Sequence, residues 1–571
     1  MSTEKAIETK HCKNCWASFD VTDKDLEFYD KISPVFNWKK YAIPAPTLCP
    51  DCRQQRRLSF RNERSIYKRK CNLTGKEVIS IYSEDKPLTI YNQKDRREDN
   101  RDPLSYGRDV DLTRPLFEQM KELFLAVPKI SLLALANQNA EFVNFSSRNK
   151  DCYLLFESDN NQDCWHGEHT FRCKNSLDTS YVSHCELCYE CTDCHTCYNV
   201  KFSQDCHQCS DSWFLDNCAS CQHCYACANL HNKKFCFWNE QYTKEEYQQK
   251  IADLNLGGYQ IITQQKEKFA NFCKTVPHKF MHGVHNEQVI GDYLQECKNA
   301  FFCFDGKRLE DCKYVSDCEK TKMTHDVVVF WGDNGMELAY EWQSIGNGIH
   351  NVLFSNNLWE NVSDALYCDF CKNSSHLFGC IGLRHKEYCI LNKQYTQAEY
   401  EKLVPQIIER MKAEWEWGEF FPSHVSPFGY NETVAMEYFP LTKADALKQW
   451  FNWSDYESPF PKVEKTLKEN QLPDDIQQIS DEILSQAIIC EVSWKPFRII
   501  KSELEFYRKH NLPLPHKHPD QRHKERMALR NPRKLRDRKC MKCWTDIKTS
   551  FAPERKEIVY CEQCYNREVY W

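Results

Sequence analysis

The sequence predicts a mainly β protein with helical insertions: a two-block β-solenoid with coils of about 21 residues, capped by helices and flanked at each end by a module with paired cysteines. Three patterns in the 571 residues predict it. Fifteen cysteines between Cys152 and Cys236 are separated only by multiples of three, so they share one register. Their positions recur at an interval of twenty-one, as in Cys164, Cys185, Cys206 and Cys227, with Leu215 and Leu230 standing in columns otherwise held by cysteine. Free cysteine behaves as a small hydrophobe, so a column that exchanges Cys and Leu faces an apolar interior. Like residues stacked at a fixed interval are the mark of a solenoid. The third pattern is a set of Cys-x-x-Cys pairs confined to the two ends.

Composition narrows the class. Charged residues make up 28% of the chain and glycine only 16 positions, which excludes collagen-like and flexible-linker proteins. Met1 to Lys10 is polar and charged, so no signal peptide is expected. No apolar run approaches the length that crosses a bilayer, so no membrane span is expected either. Disulfide frameworks belong to small secreted domains. The 34 cysteines therefore read as thiols of a cytoplasmic protein, some on metal and most in a core. A net charge of −6 makes any attraction to nucleic acid a local matter.

The tail carries Cys540-Met-Lys-Cys543 and Cys561-Glu-Gln-Cys564, together C-x2-C-x17-C-x2-C, a zinc spacing. Each tight turn aims two sulfurs at one ion, and two turns complete a closed tetrahedron with no open position for water. The head carries Cys12, Cys15, Cys49 and Cys52 in the same arrangement, with a longer excursion between the pairs. From residue 44 onward the two ends align without gaps at an offset of 469: Pro44, Pro50, Arg53, Arg57, Arg61, Arg64 and Cys71 return as Pro513, Pro519, Arg522, Arg526, Arg530, Arg533 and Cys540. The ancestral unit thus had two consecutive four-cysteine sites, and each copy lost a different one. The remnants read Cys71, Thr74, Asn92 and Asp95 in the head, and Cys490, Ser493, His518 and Gln521 in the tail. Thr, Asn and Gln are poor ligands for zinc, so two zinc ions are expected in all.

Each copy also holds a basic stretch: residues 53–70 have eight Arg/Lys against one Glu, and residues 517–539 ten against three acids, net +7 in both. Such stretches neutralise phosphates in a sequence-independent, salt-sensitive way, or else form solvated helix faces whose arginine stems cover apolar neighbours. Persistence in both copies favours the first reading, with Arg53, Arg56, Arg57, Arg61, Arg64, Arg522, Arg526, Arg530 and Arg533 as candidate contacts for RNA, DNA or a ribonucleoprotein.

A second internal match, at offset 153, pairs Cys227 to Tyr247 with Cys380 to Tyr400. Both segments end in Thr-x-x-Glu, a capping box that starts a helix. The division that follows is an N-terminal zinc-ribbon module over 1–110 and a first solenoid block over 111–242, with a helix from Pro115 to Val127 at its mouth. A helical insertion fills 243–292, and a second block spans 293–395, its coil length drifting between Thr321 and Asp364. A capping helix, an aromatic-rich core and a linker from residue 454 occupy 396–485, and the C-terminal zinc-ribbon module 486–571. The run Cys185, Cys188, Cys191, Cys194 and Cys197 has the spacing of iron–sulfur ligands. Its phase continues through leucines that ligate nothing, which favours packing. His195, His207 and His223 adjoin cysteines, but sequence neighbours face different ways, so no catalytic pair is identified.

The segments Cys49-Pro-Asp-Cys-Arg-Gln-Gln-Arg-Arg57, Tyr67-Lys-Arg-Lys-Cys71, Tyr388-Cys-Ile-Leu-Asn-Lys-Gln-Tyr395 and Phe428-Gly-Tyr-Asn-Glu-Thr433 resemble a family of uncharacterised cysteine-rich zinc-ribbon proteins of uncultured small-genome bacteria. The likeness covers most of the chain and departs from the family at the lost cysteines. It implies no established activity. Members are sometimes labelled CaiB/BaiF-type CoA transferases, a chemistry that needs an Asp nucleophile in a large α/β fold, which nothing in this composition supports. The sequence therefore leans toward a non-enzymatic, zinc-binding scaffold whose basic modules dock onto nucleic acid. The alternatives are a protein-interaction adaptor using the solenoid surface and a thiol- or metal-handling protein using the cysteine ladder.

Overall fold

A computed structural model describes residues 4–94, 102–344, 346–459 and 462–570. Two runs of parallel strands form its centre. Eleven strands from Ala134 to Gln241 make one block, and ten from Gly283 to Gln394 make the other. Neighbours follow chain order, as a solenoid requires. The last strand of each block folds back antiparallel, Cys236 beside Gln241 and Cys389 beside Gln394, which closes the edge.

The coil length corrects the sequence reading. Strand partners in the first block stand twelve positions apart, as in Tyr153 with Trp165, Leu177 with Tyr189 and Trp213 with Tyr225. A coil is therefore twelve long and not twenty-one. The second block opens with an offset of eleven (Gly283 with Leu294), which widens to fifteen at Thr321 with Met336 and thirteen at Met336 with Ile349. It returns to twelve at Val362 with Ser374, so the drift expected after Thr321 is present.

Phase three has a backbone cause. Every third residue is a left-handed corner: His184, Leu187, Glu190, Asp193 and Thr196 have φ between 48° and 57°. The residue after each corner points inward, so four three-residue sides close one coil. The N–H of several inward residues bonds not to a backbone carbonyl but to the side chain one coil earlier. Cys188 N donates to Ser176 Oγ (3.2 Å), Cys224 N to Ser212 Oγ (2.9 Å), Cys173 N to Asn161 Oδ1 (2.9 Å) and Cys197 N to Cys185 Sγ (3.5 Å). A buried N–H left unpaired is costly. The columns therefore favour small side chains that accept hydrogen bonds. The column of Cys164 runs through Ser176, Cys188, Val200, Ser212 and Cys224, all buried.

The thiols also donate. Cys185 Sγ reaches Ser183 O at 3.4 Å and Cys194 O at 3.3 Å, and Cys191 Sγ reaches Tyr189 O at 3.5 Å. All 23 solenoid cysteines are buried and free.

Helices and modules cover this core. Lys244–Ala252 and Gln397–Ala413 start at the capping boxes Thr243/Glu246 and Thr396/Glu399. The second of these helices buries Tyr400, Val404, Ile407, Ile408 and Met411 over the last coils. The helix Leu116–Ala126 does not close the mouth of the first block. It packs on the second, with Phe117 edge-on to Tyr367 at 5.7 Å. The second block also begins earlier than expected, at Gly283. The segment read as a linker is instead part of the tail core: Lys465–Leu467 pairs with Gln486–Ile489, and Ile476, Ile479 and Ile483 are buried. The two blocks touch directly through Tyr293 Oη to Asp205 (3.0 Å) and Tyr181 Oη to Asp317 (3.3 Å). No described helix is long and apolar enough to cross a membrane.

Candidate metal centres and arginine clamps

Cys12, Cys15, Cys49 and Cys52 converge, as do Cys540, Cys543, Cys561 and Cys564, each set with its four sulfurs within 4.8 Å of one another. Local structure explains the convergence. In each first knuckle the chain doubles back on itself, with Cys12 N bonded to Ala17 O (2.9 Å) and Cys540 N to Thr545 O (2.8 Å). In each second knuckle a cysteine caps a helix: Cys49 precedes Pro50–Leu58 and Cys561 precedes Glu562–Val569. A helix N-terminus favours the thiolate a metal needs.

The sulfur edges Cys15–Cys49 and Cys543–Cys561 are both 3.6 Å. That is far too long for a disulfide and close to the ~3.8 Å edge of a tetrahedron with 2.3 Å metal–sulfur bonds. Hydrogen bonds hold some of the sulfurs as thiolates. The Cys52 thiol holds Cys49 down to about 5, its own proton being pushed up in return. The Thr545 hydroxyl leads the groups that hold Cys543 down to about 6. Cys561 N also donates to Cys540 Sγ at 3.2 Å. Both tetrads fit a closed, four-sulfur metal site.

The remnant sites keep the turn and lose the ligands. Cys71 and Cys490 retain the backbone return bonds to Lys76 O and Lys495 O (2.8 and 3.0 Å), and accept from Asn92 N and Ser493 N at 3.3 Å each. His518 is a helix cap, its Nδ1 accepting from Asp520 N at 3.1 Å. Asp95 lies outside the described residues.

The arginines expected on a phosphate-facing surface point the other way. Arg53 and Arg57 are buried on Asp326 (2.8 and 3.2 Å), Arg57 also on Glu341 (2.6 Å), and Arg56 on Glu341 (3.0 Å) and Glu419 (2.7 Å). Arg61 pairs with Glu63 and Glu157, and Arg64 with Glu168 at 2.8 Å. In the tail, Arg522 and Arg526 share Asp178, the latter at 2.9 Å. Arg530 bridges Asp193 (2.8 Å) of one block and Asp305 of the other, and Arg533 joins Asp305 (2.8 Å) to Asp317. The expected contact surface is thus an internal clamp.

Seven of its acids come from the solenoid corners: Glu157, Asp178, Asp193, Asp305, Asp317, Asp326 and Glu341 all have positive φ. Asp tolerates that conformation better than most residues. Corners one coil apart stack like charges, as in Asp305 above Asp317, and a guanidinium between them removes the repulsion. The sequence held the signal in the matching arginine spacing of the two copies, but the acids are remote in sequence.

A third cluster joins Glu168, Glu437 and His523, with His523 Nε2 at 3.2 and 3.1 Å from the two carboxylates. Arg64 already occupies the same Glu168 oxygen, and among the described residues His523 Nδ1 has no hydrogen-bond partner to orient the ring. Metal-bound histidines almost always have such support. The cluster is a buried proton-sharing knot: burial pushes Glu168 and Glu437 each up to about 7 and His523 down to about 3.

Within the cysteine ladder, burial raises the thiols of Cys164, Cys191, Cys194, Cys206 and Cys218, and Cys188 and Cys197 donate to Glu186 O and His195 O. A sulfur donating to backbone carbonyls is a protonated thiol, not a metal ligand. Compared with protein-family models and with curated proteins, the chain matches none.

Proposed function

We propose that the protein is a non-catalytic, zinc-stapled scaffold: two rigid solenoid blocks, held side by side by terminal modules, that present their flanks to a protein partner. The observation that carries this reading is the fate of the nine arginines, whose guanidiniums are spent on solenoid carboxylates. That leaves the phosphate-docking reading without the residues it was built on. Zinc, rather than another ion, suits four thiolates in a closed tetrahedron. The thiol-handling alternative is disfavoured because the ladder sulfurs donate to carbonyls.

The adaptor reading draws on the corner columns, where aromatic rings stack one coil apart and stay partly exposed, Phe235 also packing on Tyr247, Tyr388 on Tyr400 and Tyr314 lying under Arg53. His223 lies on Phe235 at 5.3 Å, Phe302 on Tyr314 at 5.5 Å and His376 on Tyr388 at 4.7 Å. Rigid aromatics of this kind make inexpensive contact surface in entropy terms. The test is pull-down with the intact, zinc-loaded chain at low and high salt. Retention of a protein partner that survives nuclease treatment supports the reading. Retention only of nucleic acid, lost on raising salt, overturns it.

A further inference from the structure

Six tryptophans stand where the backbone calls for glycine. Trp16, Trp38, Trp415, Trp450, Trp494 and Trp544 have φ between 59° and 64° and are 69–100% exposed. The other eight described tryptophans form a separate population. The most exposed of them is Trp331 at 39%, and only Trp238 has a positive φ.

Local hydrogen bonds identify each position. Trp16, Trp494 and Trp544 directly follow the second ligand position of a knuckle, with Trp N bonded to the first cysteine's carbonyl at 3.0, 3.1 and 2.9 Å. The fourth knuckle has the same bond at 2.8 Å from Gly75, whose φ is +70°. One internal copy of the motif therefore spells the residue the turn prefers.

Trp38 is the second residue of a two-residue hairpin, Asn37-Trp38, between paired Phe36 and Lys39, with φ of 47° and 63°. That turn is the one in which Asn-Gly dominates. Trp415 and Trp450 each follow a helix in the glycine position of a Schellman motif. Glu416 N bonds Met411 O (2.9 Å) and Trp415 N bonds Lys412 O (3.3 Å). Phe451 N bonds Ala446 O (3.0 Å) and Trp450 N bonds Leu447 O (3.1 Å). In a third such motif the position is Asn511, the other residue that suits it.

The indoles gain nothing in exchange. Among the described residues none of the six stacks on another ring, and only Trp415 has a cation near it, Lys13 at 5.6 Å. Outside the repeating solenoid corners the described positive-φ positions hold only Gly, Asn and these tryptophans, and there a bulky side chain is an outlier that strain elsewhere must offset. The chain is also short of glycine, with 16 in 571 residues against a usual share of about 7%.

We infer that these six positions are glycine in the protein as its own cells make it: one codon rendered here as tryptophan is decoded there as glycine. The six exposed indoles are then not a base-stacking platform or a docking patch, and the knuckle tips are bare backbone turns.

The test is the gene itself, together with the chain. The codon at all six positions should be one codon, and a different one from that at the buried Trp165, Trp342 and Trp417. Finding the same codon in both groups overturns the inference. Peptides spanning Trp38 and Trp450 recovered from the source cells should carry the mass of glycine, and tryptophan mass there overturns it. A recombinant chain with Trp16, Trp38, Trp415, Trp450, Trp494 and Trp544 all changed to Gly should melt several degrees above the chain as written, and an equal or lower midpoint counts against it.

Discussion

Arg57→Met separates the clamp from a phosphate-binding surface. Arg57 is fully buried, with one guanidinium nitrogen 2.6 Å from Glu341 and another 3.2 Å from Asp326. Methionine fills the stem volume but leaves two buried carboxylates sharing two cations. Removing one partner of a buried ion pair costs about 3–5 kcal/mol. Here Arg53 stays 2.8 Å from Asp326 and Arg56 stays 3.0 Å from Glu341, so the lower end, about 3 kcal/mol, is expected. Urea unfolding followed by near-UV circular dichroism measures the loss. Because the pairs are buried, about 1 M salt should leave it nearly unchanged, whereas a surface ion pair would be screened. Adding Asp326→Asn to Arg57→Met should recover part of the loss, a coupling above about 1 kcal/mol. A stability within about 0.5 kcal/mol of the parent, combined with lost salt-dependent RNA affinity, would refute the clamp.

Other consequences can be checked in the same preparations. Metal analysis should give two zinc ions per chain, and Cys540→Ser with Cys564→Ser should leave one; a count far above two would return the cysteine ladder to metal handling. In the folded protein a bulky thiol reagent should spare the 23 solenoid cysteines, and rapid labelling of Cys191 or Cys194 would contradict their packing. For Glu437, whose carboxyl burial raises from 4.5 to about 7, the native state binds more protons than the unfolded one between those pH values. Its contribution therefore falls as pH rises through that window. Glu437→Gln should match the parent below pH 4.5 and exceed it by about 3 kcal/mol at pH 8, and equal denaturation midpoints at pH 8 would argue against a half-buried, proton-holding carboxyl.

The solenoid was legible because phase three is a backbone property, one left-handed corner in every three residues, and it showed through the cysteines. Coil length was not. Both twelve and twenty-one are multiples of three, and the true column above Cys164 passes through Ser176, Val200 and Ser212, which a search for repeated cysteine skips. What those residues share is size and, for Cys and Ser, an oxygen or sulfur that accepts the N–H of the next coil. The metal tetrads were legible because Cys-x-x-Cys spacing fixes sulfur geometry within a single turn. The arginine clamps were misread because charge counted along the chain cannot see acids such as Asp178 and Asp326, hundreds of residues from their partners.

The unequal loss of cysteines from the two internal copies follows from the same packing. A structural ion substitutes for a core too small to hold a knuckle together. The head tetrad has little apolar support, its cluster being Cys12, Cys49 and Cys52 with Phe19 and Leu48 at the margin. The tail tetrad adds Ile547, Phe551 and Val559 to its buried cysteines, with Phe280 and Tyr560 at the margin. The remnant at Cys490, by contrast, is embedded in an extensive core with Phe497, Leu504, Tyr507 and the solenoid's Tyr189. The remnant at Cys71 packs on Val78 and Tyr91, and the strand Ile90–Tyr91 is tied by pairing to Lys129–Ile130 at the edge of the solenoid. A knuckle anchored to the solenoid in this way has less need of an ion, and its ligands are free to become Thr, Asn, Ser or Gln; the tail tetrad, tied to the edge of the second block by Ile558–Tyr560 on Pro277–Lys279, keeps its four cysteines even so.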